Sequence, residues 1–196
     1  MISQLNDALE ARIALLDVEE DQWAHLDFVD RAHEKVSGLG IYIEGVPGRV
    51  DVEVPVTVEL GGIVINGRLD RIEYVDGGVR ITDLKTGSAV TKRQAEEHPQ
   101  LAAYQLALEA LGYTVAGAQL VYLTENKATL RMQQPLDEPT RAEWMNKIRA
   151  VSQMAHGSRI PATPSTDACK HCAFTCILTR SEERRVGKEC RSRWSP

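Results

Sequence analysis

Between Val52 and Leu60 the chain reads VEVPVTVEL, with an apolar residue at every second position. Side chains on a strand alternate between faces. Val52, Val54, Val56, Val58 and Leu60 are therefore expected on one face of a half-buried strand, with Glu53, Pro55, Thr57 and Glu59 on the other. Pro55 lacks an N–H to give to a ladder and so favours a sheet edge. Gly61-Gly62 separates this run from IVINGRLDRIEYV, and Asp76-Gly77-Gly78 separates that run from VRITDLK. Three strand-like runs joined by glycine turns predict an antiparallel meander.

The rest of the chain alternates with this sheet. Residues 3–36 have helical periodicity through Leu5, Leu9, Ile13 and Leu16. EEHPQLAAYQLALEALG predicts a helix with Pro99 in its first turn and Gly112 at its C-terminal cap. AGAQLVYLT (116–124) reads as a buried strand, and ATLRMQQ (128–134) pairs plausibly with it. A second amphipathic helix covers about 138–155, through Trp144, Ile148 and Met154. The order α-βββ-α-β, with a closing helix, is that of an α/β fold whose mixed central sheet is flanked by helices. Residues 1–45 read as a helical lead-in, the end of a longer upstream region, and 46–160 as the core.

A net charge of −5 argues against a freestanding nucleic-acid binder, which is usually basic. It leaves room for an enzyme that receives nucleic acid from a partner subunit or an attached domain. No apolar run approaches the ~20 residues that span a bilayer, and MISQLNDALEARIALL lacks the basic-then-apolar pattern of a signal peptide. A cytoplasmic protein without membrane association is the default expectation. No G-x-x-x-x-G-K phosphate loop occurs, so no ATPase motor is expected within these residues.

The charged end of the second hairpin raises a chemical question. Asp83 and Lys85 share a strand face that begins with Val79 and Ile81, while Thr82 and Leu84 take the other face. Reflecting Asp70 across the 76–78 turn lands near position 84, so the two carboxylates can approach each other. Two close carboxylates repel unless a cation joins them, and Mg²⁺ takes one or two carboxylates plus carbonyls and water. The Leu84 carbonyl is a natural further ligand, and Lys85 could hold a water or stabilise charge on a phosphate. A surface salt-bridge network among Asp70, Asp83 and Lys85 explains the spacing alone equally well. Gln100 and Tyr104 stand one helical turn apart farther along, on one face.

GRLDRIE, ITDLKTG and QLAAY, in this order and at these distances, resemble motifs II and III and the Gln-x-x-x-Tyr signature of the PD-(D/E)XK nucleases, in the RecB-like branch. The resemblance covers roughly residues 40–178. It implies a restriction-endonuclease-like core and Mg²⁺- or Mn²⁺-dependent DNA hydrolysis. Asp70 and Asp83 would be the metal-binding acids, with the Leu84 carbonyl beside them, and Lys85 the catalytic lysine. Gln100 and Tyr104 would contact the DNA backbone near the scissile phosphate. Glu53, or His33 and Glu34 on the leading helix, are the weaker candidates for the upstream acid or histidine that many members carry.

Within the family the chain is most similar to the C-terminal nuclease domain of actinobacterial AdnB-type helicase–nucleases. That likeness implies a role in double-strand-break repair, a helicase motor in the same full-length chain, a partner helicase–nuclease subunit, and DNA as single strand or duplex ends. A standalone RecB-like exonuclease of the CRISPR-adaptation type and a catalytically silent DNA-end-binding module are the other readings.

All four cysteines fall after residue 168, three of them in DACKHCAFTC as Cys169, Cys172 and Cys176. This is the spacing by which thiolates grip one metal centre, and structural zinc or free thiols fit it too. Iron–sulfur RecB-like nucleases resemble it and imply a 4Fe–4S cluster. Here no cysteine precedes residue 169 to serve as the family's upstream ligand. Cys190 is a poor substitute, because SEERRVGKECRSRWSP (181–196) shifts abruptly in composition and reads as translated adaptor sequence. Residues 161–180 thus stand as a cysteine-containing segment before a non-native tail.

Overall fold

A computed structural model describes residues 2–15, 23–46 and 48–157. The chain divides into two compact units, Met1–Arg149 and Ala150–Pro196, and of the second only residues 150–157 are described. Helices α1 (Ile2–Ile13) and α2 (Trp23–Glu44) lead into strands β1 (Val50–Leu60), β2 (Ile63–Val75) and β3 (Gly78–Lys85). Then come α3 (Lys92–Glu96), α4 (Pro99–Ala110), β4 (Val115–Thr124), β5 (Lys127–Gln133) and α5 (Glu138–His156). Among the described residues no helix is long and apolar enough to cross a membrane.

The five strands form one sheet in the order β1-β2-β3-β4-β5. The β3–β4 pair is parallel and the other three pairs are antiparallel. This is the expected mixed sheet flanked by helices, and Pro55 lies on an edge strand. The parallel pair requires a crossover, which α3 and α4 supply. The crossover helices place Leu101, Ala107 and Leu108 in one core with Ile72, Val79, Ile81, Ala118 and Leu120 of the sheet. Helix α2 covers the opposite face, where Tyr42 and Leu39 pack with Val121, Leu123 and Leu84. A smaller core joins Trp144 and Leu136 to Ala102 and Leu106 of α4.

Local chemistry explains the ends of α4. Pro99 opens it, where a missing N–H costs nothing. It closes with Tyr113 N–H donating to the Leu108 carbonyl (3.0 Å) and Gly112 N–H to Glu109 (2.9 Å). Those two bonds make a Schellman cap, and Gly112 takes the left-handed φ of +88° that the cap demands. Thr91 and Gln94 form a capping box at the start of α3, a helix that the apolar periodicity did not reveal.

Three features depart from the sequence pattern. The stretch 3–36 carries two helices instead of one, and residues 16–22 lie outside the described residues. Met154 is exposed rather than on a buried stripe. Val52, expected inward with Val54 and Val56, is 60% exposed. The physical reason for the last lies one residue on, because Glu53 is the only described non-glycine residue with positive φ, at 53°. The β1–β2 register passes from Val52↔Arg71 to Val54↔Leu69, and Glu53 and Asp70 between them form no ladder pair. Leu69 and Ile72 consequently both reach the α4-side core, although strict alternation would send them to opposite faces. The inward parity of the hairpin switches at Asp70.

Candidate active site

The switch point is where the acidic residues meet. The regular β2–β3 ladder ends at Arg71↔Thr82, so Asp70 stands opposite Asp83 rather than opposite position 84. Beyond that pair, Leu84 N–H donates to Asp70 Oδ2 at 2.8 Å, a side-chain acceptor in place of a strand carbonyl. Asp83 projects toward α4 from the end of a run of buried residues and is itself only 3% exposed. Lys85 Nζ lies 2.6 Å from Asp83 Oδ2. This buried oxygen has the Lys85 ammonium as its close partner, and no second donor reaches it.

A chain of contacts runs from the lysine into α4. Lys85 Nζ donates to Gln100 Oε1 at 3.3 Å, Gln100 Nε2 reaches Tyr104 Oη at 3.5 Å, and Tyr104 Oη donates to the Arg68 carbonyl at 2.9 Å. Gly67 makes room for that tyrosine: a β-carbon there would stand 3.2 Å from Tyr104 Cε1. Gln100 thus grips the lysine while Tyr104 ties the helix to β2. An ammonium has three donors, and with Asp83 and Gln100 engaged one remains for an incoming oxygen.

Burial pushes the Asp83 carboxyl above its ordinary pKa. Lys85 pulls it back, the charge of Asp70 adds to the rise, and His98 acts with Lys85. His98 is the residue that sequence reasoning missed. It sits at the N-cap of α4 without making a side-chain cap, and its buried Nδ1 has no hydrogen-bond partner. Its pKa is lowered first by burial and next by the charge of Lys85, against an opposing pull from Asp83. The backbone there is fixed from behind, since the buried Gln133 amide donates to the carbonyls of Glu96 (2.8 Å) and His98 (3.2 Å). The available signal was position: a helix start beside a charged strand end delivers its first side chains there.

Of the weaker upstream candidates, Glu53 stands across the β1–β2 pairing from Asp70, and His33 and Glu34 lie apart on α2. Glu53 is exposed inside β1 and pairs with Arg68 at 3.0 Å. His33 Nε2 meets Glu10 Oε1 at 2.8 Å. His33 and Glu34 line an open cavity of about 490 Å³ with Asn6, Asp30, Ser37 and Glu125, and with none of Asp70, Asp83 or Lys85. Among the described residues no three His, Cys, Asp or Glu side chains gather to hold a metal ion. Cys169, Cys172, Cys176 and Cys190 lie outside the described residues.

The chain is similar to "Gene 69 protein" of Mycobacterium phage D29, 28% identical over 172 residues. The match covers 82% of this chain and 60% of the phage protein, so the chain spans well under the relative's full length. A solved structure titled "Crystal structure of SSO0001" aligns with 90% of this chain and 96% of its own at 20% identity and a TM-score of 0.44. The family model of the PD-(D/E)XK nuclease superfamily matches residues 2–177, nearly the whole chain, and the chain belongs to that superfamily.

Proposed function

We propose that the chain is a metal-dependent deoxyribonuclease of the RecB-like branch, acting from DNA ends. The observation that carries this reading is the junction of Asp70 and Asp83 with Lys85 braced by Gln100 and Tyr104. Asp70, Asp83 and the Leu84 carbonyl would hold Mg²⁺ or Mn²⁺. The donors fit such an ion: they are hard oxygens, and Asp83 Oδ2 is buried with only the Lys85 ammonium beside it. Two carboxylates suffice, because Mg²⁺ ordinarily keeps several waters and takes phosphate oxygens from its substrate. When bound, the metal would supply an activated water and neutralise charge on the phosphoryl oxygens.

The protein's own part begins with Lys85. Held between Asp83 and Gln100, its ammonium presents a fixed positive charge where negative charge grows on the attacked phosphate. Gln100 and Tyr104 restrict the lysine to that pose and offer polar edges to the DNA backbone.

Asp83→Ala should lower cleavage by at least ~100-fold while leaving DNA affinity and the fold largely intact. End-labelled single-stranded DNA in a Mg²⁺ or Mn²⁺ titration measures this, and circular single-stranded DNA should resist digestion. Metal-dependent cleavage persisting in clean Asp83→Ala protein sinks the assignment.

Two settings suit such an activity. One is a nuclease domain of AdnB type, fed in break repair by a helicase motor in the same chain and a partner subunit. The other is a standalone exonuclease. Digestion of linear single strands by the isolated chain without ATP supports the standalone setting, and activity only alongside a motor supports the first.

A further inference from the structure

The face of the sheet behind the acidic pair carries a second polar cluster, buried under α2. Arg71 and Thr82 pair across β2 and β3 and meet Glu73 and Tyr42 of α2, on the face opposite the Ile72–Ile81 core toward which Asp83 projects. There Arg71 Nε donates to Glu73 Oε1 at 3.0 Å, an ion pair whose side chains are 8% and 1% exposed. Tyr42 of α2 donates its hydroxyl proton to the same Glu73 oxygen. Gln119 of β4 closes the cluster, its Nε2 donating to Tyr42 Oη at 2.8 Å and to Thr82 Oγ1 at 2.9 Å. Burial, and next the bond to Glu73, push the Tyr42 hydroxyl far above the ordinary phenol value, so it remains a donor.

A cluster of this kind is an expensive way to fill a core. Burying an ion pair costs desolvation that apolar side chains of similar volume would avoid. What it adds is directional geometry: four elements, α2, β2, β3 and β4, are tied at one point by bonds that tolerate little slippage. That point is the last ladder pair, Arg71↔Thr82, immediately before the strands release Asp70 and Asp83.

We propose that the Tyr42–Arg71–Glu73–Thr82–Gln119 cluster sets the separation of the Asp70 and Asp83 carboxylates from the back of the sheet, with Tyr42 and Thr82 as positioning residues for cation binding. The inference rests on the reading of Asp70 and Asp83 as the metal-binding pair. Groups hydrogen-bonded directly to metal ligands commonly change metal affinity by ~10–100-fold when altered, and a cluster acting through the strand backbone belongs at the lower end of that range.

The test uses the near-isosteric variants Tyr42→Phe and Thr82→Val, with Val79→Ala as a control. Val79 is buried on β3 at the end away from the carboxylates. Mn²⁺ affinity is measured by titration calorimetry on the full chain well below each melting temperature, together with the Mn²⁺ dependence of cleavage. Tyr42→Phe and Thr82→Val should each weaken Mn²⁺ binding by ~10-fold and raise the half-saturating metal concentration in step, with the rate at saturating metal changed far less. Val79→Ala should lose stability at unchanged Mn²⁺ affinity. Wild-type Mn²⁺ affinity in both cluster variants, whatever their melting temperatures, overturns the proposal and leaves the cluster a structural one. A parent protein that neither binds Mn²⁺ nor cleaves DNA overturns the underlying nuclease reading, an outcome distinct from the first.

Discussion

His98 shows how much of a site can hide in a residue with no motif around it. Its ring is partly buried beside Asp83 and Lys85, and the lowered pKa means that the folded state resists protonating it. The sign follows directly: the unfolded chain binds a proton near the ordinary value of 6.5 and the folded chain does not. Stability from this group is therefore present above that value and lost as pH falls through it. In metal-free buffer the stability of His98→Asn relative to the parent should rise as pH is lowered from about 7.5 to 5.5. The slope is bounded by ~1.4 kcal/mol per pH unit and reduced by partial exposure. Urea denaturation at several pH values reads it, and the comparison must be of slopes, since Asn is itself a good N-cap. Parallel curves would mean that His98 titrates in the folded protein as it does in water. The same contrast holds at Asp70, Asp83 and Lys85. Their types and spacing were legible, whereas the lysine–glutamine contact and the burial of Asp83 depend on how α4 lands on the sheet.

At the scale of elements, the docking of α2 on β4 is the join that no local pattern announced. Lys35 Nζ donates to the Leu123 carbonyl at 2.8 Å and Ser37 Oγ to the Glu125 carbonyl at 2.9 Å. Between them Gly38 lets the backbones touch, since a β-carbon there would stand 2.2 Å from the Thr124 oxygen. In an exposed helix Gly→Ala would gain ~1 kcal/mol. Here the helix would have to lift, and Gly38→Ala should cost ~2–4 kcal/mol by denaturant unfolding. It should also weaken Mn²⁺ binding through Tyr42, one turn farther along the same helix. A stabilising Gly38→Ala would show that α2 is free to shift. Strands β2 and β5 and helix α4 were legible at nearly their full lengths because alternation, proline and glycine mark their ends. Val52 was not, because a left-handed residue at Glu53 reverses strand parity, and nothing in the alternation of VEVPVTVEL encodes that reversal.

For the whole molecule, burial raises the pKa of the Asp83 carboxyl at the proposed metal site, a local cost that a bound cation would relieve. A ligand that binds only the folded state at a hundredfold excess over its Kd adds ~2.7 kcal/mol. Saturating Mn²⁺ should therefore raise the melting temperature by roughly 5–10 °C in this size range, and Asp83→Ala should lose that rise. An equal shift in both proteins would place the responding cation elsewhere. By itself the sequence determined the meander, the crossover helix and the candidate residues, because strand alternation, turn glycines and motif spacing are properties of neighbouring positions. Only the tertiary structure decided that Asp70 faces Asp83, that Gln100 braces Lys85, and that Tyr42 meets Glu73 and Gln119 behind them. Those contacts join residues far apart in the chain, and their geometry is set by the twist of the sheet and the seating of two helices on its opposite faces.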